Sequence, residues 1–64
     1  MTQKELLYVE DAIGHETNTI DIYYYVIENL EDGNLASFLK KLVKRHESIK
    51  EKLVKLLESE CNEW

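Results

Sequence analysis

The sequence predicts an all-α protein: an antiparallel two-helix hairpin, residues about 3–31 and 35–60, that joins a second copy to complete a four-helix bundle. Three observations carry that expectation. Each half holds one line of apolar residues at alternating helical steps of three and four, no proline occurs anywhere, and one strong turn signal, Glu31-Asp32-Gly33-Asn34, divides the halves. In the first half the line runs Leu6, Val9, Ile13, Ile20, Tyr23, Ile27 and Leu30, interrupted by Glu16. In the second it runs Leu35, Leu39, Leu42, Ile49, Leu53 and Leu56, interrupted by His46.

The first helix has a clear start. Thr2-Gln3-Lys4-Glu5 has the form of a capping box, with Thr2 as N-cap and Glu5 reaching back. Gly14 costs about 1 kcal/mol relative to alanine inside a helix. Either the long apolar line overrides that cost, or the missing Cβ admits a close neighbour beside Glu16. Ala12, Thr19 and Val26 recur at heptad spacing beside the line. They widen the stripe with small and medium side chains, so that a second helix pair can approach closely. Tyr23, Tyr24 and Tyr25 must diverge, because successive helical residues are about 100° apart. Tyr23 belongs to the line, Tyr24 flanks it and Tyr25 is expected in solvent.

In the turn, Gly33 is expected to supply backbone freedom and Asp32 or Asn34 to cap the helix that follows. So short a connection makes the helices antiparallel. Lys40, Lys41, Lys44 and Arg45 form a basic cluster on the second helix. It reads as a solvated face paired with the acidic first helix, or as a phosphate-binding patch. At the end of the chain, Trp64 either docks on a partner or frays.

At 64 residues the chain is a single domain, 1–64, too short for a large self-contained core. Domains of this size draw on disulfides, a metal or oligomerisation. Cys61 is the only cysteine, which excludes an internal disulfide and fits a reduced, cytoplasmic setting. No apolar run approaches the ~20 residues of a membrane span, and the opening residues do not form a secretory signal. The net charge is -5, with eight acids against one base in residues 1–32 and seven bases against five acids in residues 33–64. An acidic chain argues against nucleic acid and anionic membranes as partners. Its halves are charge-complementary, as packed neighbours prefer.

The chemistry-bearing candidates are the two interruptions. With a turn near residues 32–33, Glu16 falls opposite Ile49, and His46 lies about one turn towards the loop. A carboxylate and an imidazole at similar depth can touch or share a ligand, and a two-fold dimer would gather two of each. Such mixed ligation suits zinc, manganese or iron in its ferrous state. His15 and Glu47 adjoin the pair as auxiliary ligands. The plainer reading is a polar layer that fixes register and oligomeric state.

The stretch Thr2-Gln3-Lys4-Glu5-Leu6-Leu7-Tyr8-Val9-Glu10-Asp11-Ala12-Ile13-Gly14-His15-Glu16 resembles the opening of small spore coat proteins of the coat F type, in the ferritin-like superfamily with rubrerythrin and the encapsulated ferritins. The resemblance implies a spore coat setting and coat or shell proteins as partners. Its ferritin-like relatives hold two irons with a Glu on the first helix and Glu-x-x-His on the second. Glu16 matches the first position, while His46-x-x-Ile49 stands where the second motif belongs. One carboxylate and one imidazole are lost per hairpin, which argues against ferroxidase catalysis and leaves a mononuclear site or none.

Three functions are therefore expected, in this order. The first is a non-catalytic, coat-like structural or interaction component that forms a homodimer. The second is a ferritin-like metal-binding protein with an altered Glu16/His46 site. The third is an RNA-binding hairpin dimer like Rop, whose length and layout this chain shares; it needs a basic face across the dimer, and the acidic first helix argues against it.

Overall fold

A computed structural model describes residues 1–61 as two helices, α1 (Gln3–Asn29) and α2 (Gly33–Cys61), packed antiparallel as a hairpin. The reading of Trp64 lies outside the described residues. The expected all-α hairpin is the fold. Its helix bounds shift by one or two residues for identifiable reasons at the turn.

At the start of α1 both halves of the capping box form. Glu5 N–H donates to Thr2 Oγ1 at 3.1 Å, and Thr2 N–H donates to Glu5 Oε1 at 2.8 Å. Two of the helix's four orphan donors are thus engaged by side chains that sequence alone identifies. The helix ends where Leu30 turns extended, with φ -87° and ψ 137°. Asp32 then caps α2, its Oδ1 accepting from Asn34 N–H at 2.9 Å and Leu35 N–H at 3.1 Å. Of the two expected caps, Asp32 is the one used. Gly33 is already the first residue of α2 and has no positive φ, so the turn does not draw on glycine's conformational freedom. A β-region residue at 30 and an Asp cap reverse the chain instead.

The hairpin is one layer thick, with extents of 49 × 14 × 11 Å. Among the described residues only Leu6, Ile20 and Val43 are buried, and Val43 is the most enclosed at 2% exposure. On α1 the expected line does face α2: Leu6 and Ile20 are buried, and Val9, Ile13, Tyr23, Ile27 and Leu30 are half-buried. On α2 the inward line differs from the expected one. Leu39, Leu42, His46 and Leu53 of the expected line are half-buried, but Leu35, Ile49 and Leu56 are exposed, and Ala36, Val43, Lys50, Val54 and Leu57 face inward in their place. The apolar stripe of α2 is wider than one seam, and its Val43 edge, rather than its Ile49 edge, meets α1.

Exposed apolar residues are spread over α1 at Leu7, Tyr8, Ile22 and Tyr25, whereas those of α2 share one side. At about 3.6 residues per turn, Leu35, Phe38, Leu42, Ile49 and Leu56 lie on one flank of α2's inward line. Ala12, Thr19 and Val26 lie on one flank of the line in α1. The chain reversal brings both flanks to the same side of the hairpin. Two contacts mark the sides. Tyr23 packs on His46 on the apolar side, with ring centroids 5.6 Å apart, and Tyr24 Oη donates to Glu47 on the other at 3.4 Å. Phe38 is 57% exposed there, although nothing about its chemistry calls for water.

Candidate functional site

Glu16 and His46 meet. Glu16 stands near the middle of α1, and His46 Nδ1 lies 2.6 Å from its Oε2, closing a bridge between the helices. The sequence reading set Ile49 opposite Glu16 and His46 a turn away. In the structure the two side chains meet directly, and Ile49 is exposed instead. A carboxylate acceptor requires the shared proton to sit on Nδ1, which leaves Nε2 as the second ring nitrogen. The Glu16 and His46 side chains are 21% and 26% exposed, so water and the neighbouring Tyr23 ring share their surroundings.

Helical position explains the partial exposure. Glu16 stands between the inward line and the flank that carries Ala12 and Thr19. His46 stands in the same way between Val43 and the flank that carries Leu42 and Ile49. The pair thus opens towards the exposed apolar face. No buried side-chain nitrogen or oxygen among the described residues lacks a partner.

The two auxiliary candidates do not join the pair. His15 is exposed on the back of α1, and Glu47 is exposed on the opposite side of the hairpin, where it accepts from Tyr24. Among the described residues no group of three or more His, Cys, Asp or Glu is placed to hold a metal ion. The donor set of a di-iron centre does not fit this hairpin, because Ile49 offers no donor atom and Glu47 faces away. A single chain supplies two adjacent donors, Glu16 and His46.

The basic cluster also differs from expectation. Lys40, Lys41, Lys44 and Arg45 fan around the outer surface of α2, all exposed. Among the described residues, no Lys or Arg of α2 forms an ion pair with an acid of α1. The close polar contacts made with α2 from the first half are Glu16–His46 and the N-terminal amine with Glu60, the latter at 3.5 Å. The charge complementarity of the halves is not used inside the hairpin, because the inward lines leave these groups pointing away from each other.

One feature was not legible in the sequence. A groove of about 490 Å³ runs along the polar side, lined by Ile20, Glu47, Lys50 and Val54 among others. Lys50 is its signal: a lysine on the inward line must lay its stem along apolar neighbours and carry its ammonium outward. The groove is shallow, carries both signs of charge and lies away from the Glu16–His46 pair. No described helix is long and apolar enough to cross a membrane.

Compared with family models, with curated proteins and with solved structures, the chain matches none.

Proposed function

We propose that this protein is a non-catalytic structural or interaction module whose working surface is the apolar face, and that the face joins a second copy into a four-helix bundle. The observation that carries this reading is the row Leu35, Phe38, Ile49 and Leu56, all exposed on one side of α2. A compact monomer of this mass exposes roughly 4,300 Å², whereas the hairpin exposes 5076 Å². The excess is several hundred Å², comparable to the ~800 Å² that each partner contributes to a standard interface. A hairpin one layer thick lacks the second layer that a domain of packed helices needs. A second copy supplies it with surfaces of matching length and chemistry.

In this reading Glu16 and His46 form the polar layer of the interface. They limit the registers in which two apolar faces can pair, since any slip would set one pair against aliphatic side chains. A coat or shell setting rests on the opening stretch that resembles coat F-type proteins, and it fits a module whose chemistry is assembly.

Sedimentation across a micromolar concentration series tests the reading. The expected result is a dimer for the natural chain and a helical monomer for Phe38→Glu. A natural chain that stays monomeric throughout the series would overturn it.

A second reading is metal binding, favoured by the direct Glu16–His46 contact. Two such pairs in a dimer provide two carboxylates and two imidazoles, a set that suits zinc, manganese or ferrous iron. Calorimetric titration of metal-stripped protein tests it. Saturation at one metal per dimer, lost in Glu16→Gln, is the expected result; weak binding unaffected by that change removes this reading.

A further inference from the structure

We infer that the second copy docks with its turn at the same end as the first, so that α1 packs on the partner's α2 instead of on the partner's α1. The inference rests on the apolar face being a dimer interface and adds its orientation. Two-fold stacking of this face allows two arrangements. An axis parallel to the helices keeps both turns at one end and sets α1 against α2 of the other copy. An axis across them puts the turns at opposite ends and sets like helix against like.

Side-chain size separates the two. At the centre of the apolar face α1 contributes Ala12, Thr19 and Val26 and α2 contributes Leu35, Leu42, Ile49 and Leu56, with Tyr8 and Ile22 of α1 and Phe38 of α2 at its outer rim. Unlike pairing places a small residue opposite a large one along the interface, which is how cores reach native density. Like pairing would set small on small along α1, leaving voids, and large on large along α2, forcing the helices apart.

Charge points the same way. Residues 1–32 carry eight acids and one base, and the second half carries seven bases and five acids. Among the described residues none of the Lys and Arg of α2 is paired with α1 within the hairpin, so this complementarity is available to another copy. With turns at one end, acidic α1 lies along the partner's α2, which belongs to the half that carries most of the bases. With turns at opposite ends, acidic α1 lies along acidic α1. Because the pair lies near the helix centres, the Glu16–His46 pairs of the two copies meet in one layer of four ionisable groups in either arrangement. That layer is incomplete in a single copy.

The test uses the full chain with Cys61→Ser and Glu31→Cys, nitroxide-labelled in the exposed turn, and measures the distance between spins in the dimer. Turns at one end place the labels within about 25 Å, two to three interhelical spacings. Turns at opposite ends place them near the hairpin's own 49 Å length. A short distance supports the inference; a long one overturns it while leaving the dimer intact. A labelled protein that is monomeric, with the natural chain monomeric too, removes the dimer and this orientation with it.

Discussion

Glu16 Oε2 and His46 Nδ1 are 2.6 Å apart, and this contact ties two long helices together near their centres. Removing either member leaves the other half-buried beside apolar neighbours without its partner. Glu16→Leu or His46→Leu alone is therefore expected to cost about 1–3 kcal/mol. The double substitution removes both polar groups and should recover most of that loss or exceed the natural stability. Urea unfolding of the four proteins at one fixed concentration measures the coupling. Strictly additive losses would show that the pair contributes nothing as a pair.

The capping box makes a pH-dependent prediction. The Thr2 backbone N–H first, and the Thr2 hydroxyl second, hold the Glu5 carboxyl below its ordinary value of 4.5. A carboxyl with a lowered folded value stabilises the native helix fully above its unfolded value. That contribution is lost as pH falls through the folded value. The first turn of α1 should accordingly fray in acid before the middle of the helix does. Carbon-detected titration of Glu5 should give a midpoint below the ordinary value, and Thr2→Ala should raise it. A Glu5 midpoint at the ordinary value in the natural chain would mean that the box is not formed in solution.

Much of this architecture is legible in local sequence signals. Thr2 with Glu5 announces the start of α1, Asp32 announces α2, and a shared heptad rhythm brings Glu16 and His46 to similar depth. What periodicity did not reveal is which edge of α2 faces α1. Leu35, Phe38, Leu39, Leu42, Val43, Leu53, Val54, Leu56 and Leu57 cover more of the helix circumference than one neighbour can bury. The inward edge passes through Ala36, Val43, Lys50 and Leu57, at heptad spacing. Lys50 conceals that edge from a reading by hydrophobicity, since its stem is apolar but its residue class is charged. Val43 is the most enclosed residue of that edge, and Ala36 is half-buried on it. Leu42 and Ile49 are left for a second layer that one chain does not contain.

This division of α2 into two edges can be measured by truncation. Ile20→Ala removes a buried side chain from the hairpin core and should destabilise the fold by about 2–5 kcal/mol, independently of protein concentration apart from the dimer's own linkage. Tyr25, 69% exposed on the back of α1, should change stability by less than about 0.5 kcal/mol on replacement by alanine. Phe38→Ala belongs to neither class. It should cost little at low concentration, where monomer dominates, and progressively more as the dimer fills. Thermal melts at several concentrations distinguish these behaviours. A Phe38→Ala loss that does not vary with concentration would place that ring inside the hairpin core.

Gly14 offers a test with the opposite sign. It lies in the interior of α1, two residues from Glu16, where glycine is less favourable than alanine by roughly 0.5–1 kcal/mol. A close helix neighbour would justify that cost, and the sequence left this reading open. In the structure a Cβ built at Gly14 meets nothing within 4 Å. Its helical position also turns it away from the flank of Ala12, Thr19 and Val26, so a second copy seated on the apolar face does not reach it. Gly14→Ala should therefore stabilise the protein by about 0.5–1 kcal/mol, raising the denaturation midpoint without changing the dimerisation constant. A destabilised Gly14→Ala protein would place a close neighbour on the polar side of α1, and the partner would then cover a different face from the one assigned here.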